Sequence, residues 1–300
     1  MKISKITVIG GDKRFEVCAQ LFASHGCECA VYAIDTNDTE TTSTKSATLK
    51  DALACSDALI LPIPHTKNGT DLYSPLSEIK VPVNEILAEL DEGCTVFTGD
   101  NGYDLKQKLN EQGKSNTVIS YTASKQFAIL GSVPTAECAV SIAVKLTERT
   151  CNGSKYLIAG FGNVGKHLSM LAKNMGADVY VSARKNEDLA MIDSLGMKPL
   201  NTCSIAECDI EFDVIFNTIP TLIFNKRVLT ALKGAPTIIE LASKPYGADF
   251  KTAKKKAAYG GFLLHYLAII HRESALQKLL PFCRSRKTSR LQTSYQASSR

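Results

Sequence analysis

The stretch Tyr156-Leu-Ile-Ala-Gly160-Phe-Gly162-Asn-Val-Gly165-Lys-His-Leu decides the fold class. An apolar run that ends in Gly-x-Gly-x-x-Gly and continues into helical spacing from Lys166 to Asn174 reads as a strand, a tight turn and a helix packed back on the strand. In that reading Gly160 permits the turn, Gly162 lets the backbone approach a diphosphate, and Gly165 lets the helix lie close to its strand. Phe161, Asn163 and Val164 complete the loop, where free backbone N–H groups and the helix dipole favour an anion. A purely structural turn is the competing reading of the same glycines. The next strand, Val179-Tyr-Val181, arrives where a βαβ unit needs it.

The end of that second strand bears on the cofactor. It reads Val181-Ser182-Ala183-Arg184-Lys185, with no Asp or Glu to accept from a ribose 2′-hydroxyl. Ser182, Arg184 and Lys185 suit a 2′-phosphate instead, so NADP is expected in preference to NAD, with Arg184 as an ordinary solvated side chain the alternative. Further strands are expected at Val214-Ile-Phe216 and Thr237-Ile-Ile-Glu240, with helices starting near Asn163, Asn186, Lys226 and Asp249.

Upstream, Ile6-Thr-Val-Ile9 runs into Gly10-Gly11-Asp12 and a helix from Lys13 to Ser24, followed by strands at 29–34, 58–61, 95–97 and 117–119. The turn at Gly10 lacks the spaced third glycine, so a second nucleotide site there is not expected. Thr36 to Thr48 and Pro62 to Pro75 read as loops, and Pro134 to about Arg149 as a long linking helix. The expectation is an α/β chain of two Rossmann-like, doubly wound parallel sheets joined by that helix: a substrate domain over 1–133, an NAD(P)-binding domain over 134–270, and a basic, poorly ordered tail over 271–300 with at most a short helix from Glu273 to Leu280.

Composition agrees. The 300 residues are 44% hydrophobic and 22% charged, enough to bury two cores. Of the net charge of +5, the last thirty residues contribute +6, so the body carries no basic surface built for nucleic acid. Apolar runs of about a dozen residues fall short of a membrane span. The amino end carries no signal-peptide pattern, and a cytoplasmic chain is expected. Ten scattered cysteines without a CxxC read as reduced thiols, and neither a metal-ligand spacing nor a GxSxG turn is present.

Polar clusters at strand ends supply the substrate candidates. Ser132, Thr135 and Glu137 surround Pro134 at the expected helix start, either as caps or as holders of a carboxylate. Asn217-Thr218-Ile219-Pro220 and Ser243-Lys244 follow strands and would face a nicotinamide. His65 and Lys67 offer cationic character in the first domain, or are simply solvated.

Taken together, Ile6-Thr-Val-Ile-Gly-Gly-Asp12, Phe127-Ala-Ile-Leu130 before Ser132-Val-Pro-Thr-Ala-Glu137, the glycine loop, Asn217-Thr-Ile-Pro220 and Leu241-Ala-Ser-Lys-Pro-Tyr-Gly-Ala-Asp249 resemble the A-subunit family of dipicolinate synthases from spore-forming bacteria. The resemblance runs to about Gly260. It implies an NAD(P)-dependent dehydrogenase, working in the mother-cell cytoplasm with a flavoprotein-like B subunit. The implied reaction converts dihydrodipicolinate, or its hydroxy-tetrahydro precursor, to dipicolinate; a homo-oligomer stays open. Ser132, Thr135, Ser243 and Lys244 would hold the dicarboxylate, Glu137 would take the ring proton, and Asn217 would orient substrate or nicotinamide. Thr218 and Pro220 would line the cofactor. After Gly260 the chain departs from the family's lysine- and proline-containing loop, as a frameshifted or otherwise altered terminus would. The alternatives are a 2-hydroxy-acid or alanine-type dehydrogenase and a non-catalytic NADP-binding subunit; the first generally needs a catalytic His with an acidic or Arg partner, and no such pair stands between Ile215 and Asp249.

Overall fold

The computed structural model describes residues 3–35, 43–147 and 149–253, together with the backbone of a strand at 263–266. The expected helix at 273–280 and the rest of the tail lie outside the described residues. The chain divides between Gly131 and Ser132 into two compact units.

In the first unit, β1 (Lys5–Ile9), β2 (Glu28–Tyr32), β3 (Thr44–Lys45), β4 (Ala58–Ile60), β5 (Thr95–Thr98) and β6 (Val118–Ser120) form one parallel sheet in the order β3-β2-β1-β4-β5-β6. Helices α1 (Lys13–Ser24), α2 (Leu49–Leu53), α3 (Val83–Ala88) and α4 (Tyr103–Glu111) cover it. Side chains alternate along each strand, and both faces are dry: Ile6 and Val8 pack with Phe15, Phe22 and Phe97, while Ile9 packs with Leu53, Ile86 and Leu105 on the other face. Each such side chain contributes about 1.5–3 kcal/mol on leaving water. Helix α1 follows the expected boundaries; Asp12 caps it by accepting from the Arg14 N–H, and Phe15, Cys18, Ala19 and Phe22 form its buried stripe.

Two expectations are corrected here. Thr36 to Thr48 is not all loop, because Thr44 and Lys45 pair in parallel with Ala30 and Val31 as an edge strand. The linking helix α5 (Lys125–Thr147) begins nine residues before Pro134, which lies inside it. Its cap is Ser124, whose hydroxyl accepts from the Phe127 N–H at 3.3 Å. Pro134 lacks the N–H that would reach the Leu130 carbonyl, and an interior proline costs about 3 kcal/mol. Burial of Pro134, Ala136, Ala139, Val140 and Ala143 offsets that cost. This helix has the length and the mean hydropathy, 1.7, of a membrane span, contrary to the expected run of a dozen; Ala136, Ala139, Val140 and Ala143 of it are taken up by the core of the second unit.

The second unit repeats the pattern with β7 (Lys155–Ala159), α6 (Asn163–Asn174), β8 (Asp178–Ala183), α7 (Asn186–Ser194), β9 (Lys198–Asn201), β10 (Val214–Asn217), α8 (Lys226–Ala231), β11 (Thr237–Glu240) and β12 (Leu263–Tyr266). The sheet order is β12-β11-β10-β7-β8-β9, parallel throughout. Counted from β7 this is the 3-2-1-4-5-6 order of a doubly wound dinucleotide fold, and the first unit has it too. Tyr156 and Ile158 of β7 face one core, Leu157 and Ala159 the other. Each sheet therefore reverses its winding beside its own first strand, the place where ligands bind in such folds.

Candidate nucleotide-binding site

The three glycines after β7 occupy three physically different positions. Gly160 has φ of 105°, and a Cβ there would sit 2.4 Å from the Thr218 hydroxyl. The Thr218 hydroxyl itself donates to the Ala159 carbonyl at 2.8 Å, so it braces the turn. A Cβ on Gly165 would lie 2.1 Å from the Gly160 carbonyl oxygen; only glycine lets α6 approach the strand this closely. A Cβ on Gly162 would meet nothing within 4 Å. Its φ of −78° suits any residue, so neither local packing nor backbone geometry accounts for a glycine there. The open face lies at the start of α6, which has no side-chain cap and no acid in its first turn. Lys166 N–H closes the first helical bond to Gly162, and its ammonium lies 5.1 Å from the centroid of the Phe161 ring.

A groove of about 520 Å³ opens over this turn. Gly160, Phe161, Gly162, Ser182, Arg184, Lys185, Thr218 and Pro220 line it, so the geometry brings together eight of the eleven residues expected around the cofactor. Asn163, Val164 and Gly165 supply the helix start beneath it. Arg184 and Lys185 are exposed at its rim. Ser182 is not: it is fully buried, and the Thr202 hydroxyl donates to its own at 3.3 Å. Of the three residues expected at a 2′-phosphate, only Arg184 and Lys185 reach the surface, while Ser182 forms the floor. Asp188, in the first turn of α7, also lines the groove, and sequence reasoning missed it by looking for an acid only at the strand end.

The substrate candidates separate. Ser132 and Thr135 are buried in mid-helix and do not stand at a helix start, because α5 begins upstream. The Ser132 hydroxyl lies 2.6 Å from His167 Nδ1, which braces α5 against α6. Glu137 is exposed on the same helix, and Ser243 and Lys244 are exposed on the loop after β11.

Asn217 is fully buried and does not present its amide to solvent. Its Nδ2 donates to Glu240 Oε1 at 2.7 Å and to the Ile219 carbonyl at 3.0 Å, and its Oδ1 accepts from the Ile219 N–H at 3.2 Å. Asn217, expected to orient substrate or nicotinamide, instead has its amide turned inward onto Glu240 and Ile219. Its partner Glu240, a residue the sequence reading treated only as a strand end, is fully buried. Glu240 also accepts from the N–H groups of Ala242 at 3.0 Å and Gly247 at 3.2 Å. Burial pushes its carboxyl above the usual range, against these donors. The pair fixes the loops after β10 and β11, including Thr218, Pro220, Ser243 and Lys244.

In the first unit His65 is buried rather than solvated, with Nδ1 2.7 Å from Asp100 Oδ2. Burial raises the Asp100 carboxyl, but hydrogen bonds from His65 and Thr98 outweigh it and bring it to about 2.

Two doubly wound units, one with an open glycine cradle at the winding reversal, define a two-domain Rossmann-type protein of the dehydrogenase architecture. The family model described as the N-terminal domain of the dipicolinate synthase A subunit matches residues 5–119. The chain is 29% identical over 255 residues to the dipicolinate synthase A subunit of Bacillus subtilis (strain 168), covering 84% of this chain and 85% of that protein. The crystal structure of the dipicolinate synthase A subunit from Bacillus halodurans superposes with a TM-score of 0.80 at 27% identity, over 93% of this chain and 96% of that one. The resemblance seen in the sequence is thereby borne out. An L-alanine dehydrogenase structure shares the fold at 14% identity and a TM-score of 0.62, over 95% of this chain and 90% of that one.

Proposed function

We propose that the chain is the nicotinamide-dependent A subunit of a two-subunit dipicolinate synthase, acting in the mother-cell cytoplasm, and that it dehydrogenates dihydrodipicolinate, taken directly or formed from its hydroxy-tetrahydro precursor by loss of water, to dipicolinate. The observation that carries this reading is the cradle at Gly162: a position open on its ligand side, at an uncapped helix start, in a chain that resembles this family over most of its length. The residues fit a dinucleotide. The first N–H groups of α6 would hold its diphosphate, Arg184 and Lys185 a 2′-phosphate, and Thr218 and Pro220 the walls nearer the nicotinamide. A nicotinamide held there would supply the hydride acceptor.

The rest of the work falls to this chain's own groups. Ser243 and Lys244, on a loop held by buried Glu240, offer a hydroxyl and an ammonium to a substrate carboxylate. Glu137, whose carboxylate is exposed, takes the proton that leaves as the ring becomes aromatic. Ser132 acts behind the site, by bracing α5 against α6.

An absorbance assay at the nicotinamide band, with freshly made dihydrodipicolinate and each dinucleotide, tests the reaction with the chain alone and with its B subunit. No turnover under any of these conditions would refute it. Two variants sharpen the test. Glu137→Gln is expected to lower turnover by about 10²–10⁴-fold with dinucleotide affinity retained; full activity would remove Glu137 from the mechanism. Arg184→Ala with Lys185→Ala is expected to weaken NADP binding by about 10- to 100-fold and to leave NAD binding in place. Equal losses for the two dinucleotides would mean that neither cation reads a 2′-phosphate.

A further inference from the structure

The first unit repeats the strand order of the second but closes the position where a diphosphate would bind. At the turn after β1, the Gly11 N–H donates to the Tyr73 carbonyl at 2.7 Å, and a Cβ on Gly10 would lie 2.5 Å from the Leu72 side chain. The loop after β4 therefore fills the first unit's own crevice, whose counterpart in the second unit stays open at Gly162. Its contribution there is charge. Lys67 Nζ lies 3.8 Å from the centroid of the Tyr73 ring, and among the described residues it forms no ion pair.

Arg14, in the first turn of α1, stands beside it. Its Nε and Nη2 each donate to Asp12 at 2.8 Å, and the two side chains are 21% and 25% exposed. Burial pushes the Asp12 carboxyl up, yet Arg14's bonds and charge together with Lys67's field hold it below the usual range. Two cations thus act on one carboxylate, beside the amino end of a twelve-residue helix and at the carboxyl ends of β1 and β4. The local excess is one positive charge. A buttress keeps it in place: Tyr73 N–H donates to the His65 carbonyl at 2.8 Å, and buried His65 is tied to Asp100.

We propose that Arg14 and Lys67 form a carboxylate-binding site of the first unit, with Asp12 orienting the guanidinium. Asp12 occupies Nε and Nη2, and the remaining N–H groups of Arg14 stay available to an anion; the Lys67 ammonium is un-neutralised and held on an aromatic face. A planar dicarboxylate is the class of ligand that two such donors suit. The assignment deepens the proposed function and rests on that reading for the ligand's identity. His65 and Asp100 are positioning residues.

The test is calorimetric titration of the full chain with pyridine-2,6-dicarboxylate, in parallel with NADP. Lys67→Met and Arg14→Met are each expected to weaken dicarboxylate binding by about tenfold or more, whereas Lys13→Met, a neighbouring exposed cation, changes it by less than about twofold. NADP binding should stay unchanged in all three. Among the described residues Lys67 makes no ion pair and leans only on the Tyr73 ring, so its variant decides the matter even if Arg14→Met fails to fold. Dicarboxylate affinity within about twofold of the parent in Lys67→Met, or no binding to the parent, overturns the site. Dicarboxylate binding that depends on both cations in a chain that does not retain NADP would leave this site standing and refute the dehydrogenase reading instead.

Discussion

Replacing Gly162 with valine should empty the groove of the second unit of dinucleotide while the fold stays intact. The added side chain enters space in which a Cβ has no neighbour within 4 Å, on a backbone that any residue adopts. The stability change should stay under about 1 kcal/mol. The same side chain stands where a diphosphate must approach the free N–H groups of α6, so affinity should fall by about 100-fold or more, or about 2.7 kcal/mol. Gly165→Ala provides the contrast. Its Cβ would lie 2.1 Å from a backbone oxygen that cannot yield without moving α6, and a loss of about 1–3 kcal/mol in stability is expected. Thermal melts by circular dichroism, suited to a chain with no Trp, and titration with the reduced dinucleotide read both effects. Retained binding in Gly162→Val would show that the turn serves only packing.

The second large effect is expected at Glu240. Glu240→Ala removes the acceptor of three donors, Asn217 Nδ2 and the Ala242 and Gly247 N–H groups, in a place without solvent. Stranding them should cost about 3–5 kcal/mol and loosen the loops that carry Thr218 and Lys244. Glu240→Gln keeps one acceptor oxygen and turns an amide donor toward another donor, so an intermediate loss is expected.

The pH dependence has a definite sign. Burial raises the Glu240 carboxyl in the folded chain above its value when unfolded, so between those two values the native state binds more protons. The contribution of Glu240 to stability therefore rises as the pH falls from above the folded value toward about 4.5, and levels off below it. Denaturant titrations of parent and Glu240→Gln across that range would show the difference; an identical pH dependence in both would remove Glu240 as its source.

Local signals made much of this protein legible. The apolar runs at Ile6, Tyr156 and Val214 predicted strands because sheets covered on both faces need continuous apolar sequence. The starts at Lys13, Asn163, Asn186 and Lys226 were readable from helical spacing, and Gly160, Gly162 and Gly165 from the demands of one turn. Pro134 misled for a physical reason. Proline favours a first helical turn when nothing else weighs in, but here burial against the second core holds it inside a longer helix, and Ser132 and Thr135 move from a helix start to its interior.

Other features required chain segments far apart in sequence to meet. Asn217 and Glu240 are separated by 23 positions, His65 and Asp100 by 35, and Ser132 and His167 by 35. No local periodicity encodes such pairs. The amino-acid order alone determined two parallel sheets and a glycine turn at the winding reversal of the second, since strand burial and turn conformation are properties of neighbouring residues. Only the tertiary structure decided which polar side chains are left to meet a ligand, because a buried group must satisfy its hydrogen bonds with whatever the fold brings beside it. That requirement occupies Asn217, Ser182 and His65, and leaves Arg184, Lys185 and Lys67 exposed.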